Sequence, residues 1–226
     1  EILHLHRSNP TRIKPLVRTK SLAWQDGSSD FYAELNNQLR HPEFIGLAEL
    51  ILWHAKKGNK APKWDISISS PQSTKAIEAA ISRNWPIILH YEFKASKKRK
   101  NALIEQMESV LKENPDTPFL LIHAGQLKPK QVRKLFQSNK NLSLMLSHTN
   151  PIVTRSSKQP WVNIFNESGD FKNKWKLLIL DYPERFILNF DNVWKKHWSD
   201  IYIEQVNYWR NALGNLPDDI AKLLAY

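Results

Sequence analysis

The chain has 226 residues, 41% of them hydrophobic and 24% charged, with a net charge of +11 and no cysteine. That length allows one large domain or two small ones, and the composition is that of an ordinary globular fold. No stretch approaches the roughly 18 apolar residues of a membrane span, disulfides and thiolate metal sites are excluded, and any metal must rest on histidine and carboxylate ligands.

The lack of cysteine fits a cytoplasmic or a periplasmic protein equally, and no charged-then-apolar leader is read at Glu1. The positive charge is densest at Lys94–Lys100, KASKKRK, with Lys56, Lys57, Lys60 and Lys63 upstream. A basic patch suits nucleic acid or an anionic surface. Here, however, lysines recur on nearly every predicted helix, and the cluster lacks the interleaved aromatics of a stacking platform. A solvated outer face is the favoured reading, with a nucleic-acid or anionic-surface binder as the alternative.

Glu1 to Pro10 reads as a helix stopped by Asn9-Pro10, with Arg7 as a suitable cation near its end. His4 and His6 form an HxH pair, a familiar metal-binding device. Only five residues separate His6 from the strand-like Arg12–Arg18, fewer than the ~10–12 of a parallel crossover, so the pair is read as the last helical turn. Thr19–Ser29 is polar and turn-rich. Asp30 caps a helix with Phe31, Leu35 and Leu39 inward, and His41-Pro42 ends it.

Phe44–Trp53, FIGLAELILW, is a buried strand holding one acidic residue, Glu49. A buried carboxylate pairs, binds a metal or stays protonated; Glu49 is therefore either a site residue or a carboxylate paired with a surface lysine. After a loop over Ala55–Ser73 come a helix over Ser73–Arg83 and the strand Trp85–Phe93, which carries His90 behind Ile87-Ile88-Leu89. Asn101–Glu113 is amphipathic, with Leu103, Ile104, Met107, Val110 and Leu111 at helical period.

Pro118–Gly125, PFLLIHAG, is a short strand buried on both faces that ends in His123. A helix opened by Lys128-Pro129 follows, then the strand Asn141–Leu146. His148 behind it reads as a loop histidine making ordinary hydrogen bonds, with a fourth-ligand or acid–base role as the alternative. Ile152–Asp170 is a long irregular segment of the kind that forms lids. Asp170–Asp181 is helical, and Arg185–Asn192, RFILNFDN, delivers Asp191 behind Phe186-Ile187-Leu188. Helices over Asp200–Leu213 and Asp218–Tyr226 finish the chain.

Six apolar strands alternating with helices predict a parallel α/β fold. His90, His123 and Asp191 each end one of these strands, the place where α/β barrels carry their chemistry. The motifs resemble, in order, those of the amidohydrolase-related metal-dependent hydrolases (amidohydrolase 2 type). Arg12-Ile-Lys-Pro-Leu is similar to that family's second strand, and Ile45-Gly-Leu-Ala-Glu49 to its GIGE strand. Ile88-Leu-His90 and Ile122-His123-Ala-Gly125 resemble its two histidine strands. Asn141–Ser147 resembles its N-x-x-x-D-L-S strand, and Pro183–Asp191 the P-x-R-F-x-x-G-x-D strand of its catalytic aspartate.

The resemblance implies one TIM (β/α)8-type barrel domain over residues 1–226, with a first HxH strand expected before Glu1 or lost. It also implies a divalent metal, zinc first, on His90, His123 and Asp191. Asp191 and Glu49 would then be the catalytic carboxylates, acting on a small organic substrate through a metal-activated water. Trp161, Trp194 and Trp198 would wall the pocket. The alternative within the fold is an inactive barrel relative that binds a ligand or partner. The chain departs from the motifs at Asn189, where the family has glycine, and at Leu144-Met145, where it has aspartate.

Overall fold

The computed structural model describes residues 1–58, 61–192 and 195–225, with Ser156 and Lys196 described by backbone alone. One seven-stranded sheet contains β1 (Val17–Arg18), β2 (Leu47–His54), β3 (Trp64–Asp65), β4 (Ile87–Tyr91), β5 (Phe119–Leu121), β6 (Leu142–Met145) and β7 (Phe186–Ile187). The order is β1-β2-β4-β5-β6-β7, every neighbouring pair parallel, with β3 antiparallel on the end of β2. Each crossover thus returns to the next strand in sequence, the winding of a (β/α) barrel wall. The helices are α1 (Ile2–Ser8), α2 (Leu22–Asp26), α3 (Ser29–Gln38), α4 (Pro71–Ile81), α5 (Lys100–Glu113), α6 (Pro129–Ser138), α7 (Pro151–Ser156), α8 (Asn173–Asp181), α9 (Asp200–Leu213) and α10 (Asp218–Ala225).

Strands covered on both faces need continuous apolar runs, and all of β4 is buried. Helices packed on such a sheet need one apolar stripe, and α5 buries Leu103, Met107 and Leu111 at four-residue spacing. Starts are capped from the sequence. Ser70 accepts from the Ser73 amide with Pro71 in the first turn of α4, and Asn150 accepts from the Val153 amide at α7.

The sheet has two edges. At β1, the Arg18 amide donates to Gln38 Oε1 and the Arg18 carbonyl accepts from Gln38 Nε2, both at 2.9 Å. A side-chain amide on α3 therefore takes the place of a neighbouring strand. At the β7 end, the Leu188 amide donates to the Leu224 carbonyl of α10 at 3.1 Å.

The sequence-derived elements are present, but the strand expected over Arg185–Asn192 shortens to Phe186–Ile187 and that over Pro118–Gly125 to Phe119–Leu121, and four further differences stand out. The strand expected from Arg12 shortens to Val17–Arg18. The loop after β2 contains β3, held by Leu52 and Ile66 backbone pairing. The turn-rich stretch 19–29 contains α2, capped by Ser21 and anchored by Trp24, which is fully buried and donates Nε1–H to the Ile51 carbonyl at 3.1 Å. The long segment after β6 opens with α7. His4 and His6 lie on α1, which has no buried residue, and His6 Nδ1 bonds to the Ile13 carbonyl at 2.6 Å. In the basic segment, Lys97, Lys98 and Arg99 are exposed, and Arg99 pairs with Asp65. Lys60, Trp194 and Tyr226 fall outside the described residues. Among the described residues, no helix is long and apolar enough to cross a membrane.

Candidate metal centre

The sheet gathers the predicted residues because its strands run parallel and in chain order. In β2 the pairing with β4 slips between Leu47 and Leu50 and again between Ile51 and Trp53. Such bulges insert a residue and re-aim side chains, and Glu49 lies in the first of them. His90 is buried, with Nδ1 3.7 Å from Glu49 Oε2 and Nε2 3.4 Å from Glu92 Oε1. Nε2–H donates to Glu92, whereas the buried Nδ1 has no hydrogen-bond partner.

His123 follows β5 in an unusual turn. His123, Ala124, Gly125 and Gln126 all have left-handed backbone, with φ of 57°, 48°, 57° and 56°. This turn presents the His123 ring edge-to-face to His90, centroids 5.0 Å apart. Its Nδ1 lies 2.8 Å from Ser147 Oγ and 3.0 Å from His148 Nδ1, and its Nε2 3.8 Å from Asp191 Oδ2. His148 Nδ1 is 3.5 Å from the same aspartate oxygen.

Two metal-competent sets result, Glu49–His90–His123 and His123–His148–Asp191, the ligand atoms of each lying within 4.8 Å of one another. The four residues singled out from the sequence thus share one cluster. His90 and Asp191 are in different sets, and His123 joins them. His148, read from the sequence chiefly as an ordinary loop histidine, is a full member of the second set.

A third set, His54–His90–Glu92, is also buried. Its carboxylate already has a cation: Lys57 Nζ is 2.9 Å from Glu92 Oε1, and the Ala55 amide donates to Oε2 at 2.9 Å. Sequence reasoning met Lys57 only as part of the basic segment and Ser147 only as a polar strand end and motif residue, and did not single out Glu92 or His54. For Glu92 the available signal was its place two residues after His90, on the same face of the strand.

The electrostatics divide the cluster. Burial opposes a charge on His90, but Glu49 and Glu92 outweigh it and raise the pKa. Burial pushes Glu49 and Glu92 up, yet His90 pulls both down, Glu92 to about 2 with help from Lys57. Burial holds His123 well below its usual value, aided by the charges of His148 and His90. His148 falls to about 3 and His54 to about 4, in both cases through burial and then the Lys57 charge. Asp191 is raised by burial and by Glu49.

Trp161 walls the cluster, stacked on His148 at 4.8 Å and 5.0 Å from the His123 ring, with Lys57 Nζ 4.9 Å above it. Trp198 stands apart from it: it is 64% exposed, donates to the Asn192 carbonyl and lies against the Tyr202 ring. Asn189, at the position where the resemblance expects glycine, accepts from the Ser147 amide at 2.6 Å and ties the end of β7 to that of β6. A cavity of about 180 Å³ opens beside Asp191 and His148, lined also by Ile152, Val153, Asn192, His197, Ile201 and Gln205.

No protein-family model and no curated protein matches the sequence. Solved structures do match. A probable 2-pyrone-4,6-dicarboxylic acid hydrolase from Acinetobacter baumannii, with citric acid bound, superimposes with a TM-score of 0.55 at 15% identity, over 99% of this chain and 74% of that one. A 2,6-dihydroxybenzoate decarboxylase from Rhizobium gives 0.55 at 13% identity, over 99% and 72%. A decarboxylase of the same name, complexed with 2,6-dihydroxybenzoate, gives 0.54 at 13% identity. At these identities the likeness shows the fold alone: the chain shares the α/β barrel framework of those solved structures.

Proposed function

We propose that this chain is a metal-dependent hydrolase of the amidohydrolase type acting on a small organic substrate. The observation that carries the reading is His90 Nδ1. It is buried, has no hydrogen-bond partner, and faces a carboxylate oxygen 3.7 Å away. Nε2 faces Glu92 and Nδ1 faces Glu49, a pairing of nitrogen and carboxylate that a proton or a divalent cation between them would satisfy. The surrounding donors are all imidazole nitrogen and carboxylate oxygen, a set that suits zinc or a similar divalent ion.

In this reading His123 would hold the metal, together with His90 and Glu49 or with His148 and Asp191. A divalent ion so placed supplies Lewis acidity and an activated water at neutral pH. Asp191 touches both His123 and His148 and lines the cavity, so it is placed to take the proton of the attacking water and return it to the leaving group. Glu49 would share a bound ion with His90. Trp161 excludes solvent from the histidines. The solved relatives support a small-molecule substrate, since they are named as a hydrolase and a decarboxylase and hold citric acid and 2,6-dihydroxybenzoate.

The test is elemental analysis with calorimetric zinc titration of the wild-type chain and of His123→Ala. His123 belongs to both sets, so near-stoichiometric metal in the wild type and its loss in a folded His123→Ala are expected. Unchanged metal content in that variant, or none in the wild type after loading, refutes the reading.

A further inference from the structure

We infer that His54, His90 and Glu92 form a second cation site that the chain fills with its own lysine: the Lys57 ammonium is the resident cation there, and it keeps a divalent ion out. The inference goes beyond the hydrolase reading and does not depend on it.

His54 has one nitrogen whose role is fixed. A carbonyl only accepts, so His54 Nδ1, 3.3 Å from the Pro62 carbonyl, carries the proton. In the neutral ring Nε2 then holds a lone pair. That nitrogen is turned to a carboxylate, 3.8 Å from Glu92 Oε1. His90 Nε2 approaches the same oxygen at 3.4 Å, while His90 Nδ1 is the nitrogen that faces Glu49. The second oxygen of Glu92 is already engaged, since Oε2 accepts from the Ala55 amide at 2.9 Å. Two imidazole nitrogens thus converge on one carboxylate oxygen, and all three residues are buried. A lone pair facing an oxyanion away from water is unfavourable unless a cation stands near both. Imidazole nitrogen and carboxylate oxygen are donors that suit zinc.

Lys57 supplies the cation instead. Its Nζ is 2.9 Å from Glu92 Oε1. The residue is held in place by its own amide, which donates to the Ala61 carbonyl at 3.0 Å. The Trp161 ring lies 4.9 Å from Nζ, so the ammonium rests between a carboxylate and an aromatic face. Zinc bonds a carboxylate oxygen at about 2.0–2.2 Å, and on Oε1 it would stand no farther than about 5 Å from that ammonium. Like charges so close, beside buried groups, repel strongly. Glu92 Oε1 is therefore open to one cation at a time.

The experiment measures zinc by elemental analysis and calorimetric titration of the 226-residue chain. It is run in the His123→Ala background, which removes the donor common to the other two sets and leaves His90 to this one. His123→Phe, which keeps a ring and drops its nitrogens, serves where His123→Ala does not fold. Either single variant should hold no zinc. Adding Lys57→Met should bring about one equivalent and raise the unfolding temperature when zinc is present. Adding Lys57→Arg, which keeps a cation, should bring none. Adding His54→Ala to the Lys57→Met form should abolish the gain. A folded Lys57→Met form without zinc, one that zinc does not restore to folding, a gain that survives His54→Ala, or a wild-type ion lost with His54→Ala overturns the inference. The two proposals fail separately. Zinc in the wild type with none gained on Lys57→Met rejects only the Lys57 assignment. Zinc bound only where Lys57 is replaced rejects only the hydrolase.

Discussion

Replacing Gly125 by alanine probes how the His123 turn is made. Gly125 has φ 57° and ψ 16°, the third of four consecutive left-handed residues. Left-handed backbone costs an L-residue roughly 1–2 kcal/mol. A Cβ at Gly125 would lie 2.7 Å from Leu121 Cδ2 and 3.0 Å from Phe93 Cδ2. Both neighbours are fully buried and cannot swing into solvent. Overpacking of this kind adds about 1–3 kcal/mol, so the variant should lose about 3 kcal/mol in urea unfolding. Its zinc affinity should fall more than about tenfold in the fraction that folds, because His123 is carried on the same turn. Ala124→Gly is the companion. At φ 48°, glycine relieves the same backbone cost, while the buried methyl lost is worth about 0.8 kcal/mol; the net change should stay within about 1 kcal/mol. A Gly125→Ala protein within about 0.5 kcal/mol of wild type would refute both the left-handed turn and the reasoning from it.

Three further outcomes are expected. Glu92→Ala removes the partner of Lys57, the Ala55 amide and His90 Nε2 at once; unfolding measurements should show a loss of about 3 kcal/mol, and metal content should fall because nothing then fixes the His90 ring. Arg185→Met strips the Leu142 and Asn139 carbonyls of their guanidinium donors, bonded at 2.5 and 2.6 Å, and uncovers the Phe136 ring, with a loss of about 2–4 kcal/mol. Burial pushes the Asp65 carboxyl up, but Lys63 and Arg99 hold it below its ordinary 3.8. A carboxylate with a depressed folded pKa stabilises the fold above 3.8 and loses that contribution as pH falls through the lower folded value. Asp65→Asn should therefore flatten the acid limb of the stability profile below about pH 4, by less than about 1 kcal/mol; an unchanged limb would contradict it.

The elements themselves were legible in the sequence because they depend on near neighbours. The apolar runs around Leu89, Leu121 and Leu144 cannot be left in water, and α5 buries a stripe set by helical period alone. The ends of the Leu89 and Leu121 runs and of the Phe186–Leu188 run located His90, His123 and Asp191, and the order of the motifs pointed to the barrel framework that the solved structures share. What the tertiary structure decided is which atoms meet. The two slips in β2 give Glu49 its place beside His90, and no local pattern foretells a slip made against another strand. Left-handed backbone costs His123 and Ala124 free energy, so nothing in the local sequence foretells their turn, and a Cβ at Gly125 would meet Leu121 and Phe93. His148 joins Asp191 only because β6 and β7 pair in a given register, and Lys57 meets Glu92 from a separate loop. Local periodicity fixes which residues must be buried; long-range pairing fixes their partners, and the chemistry of this site resides in the partners.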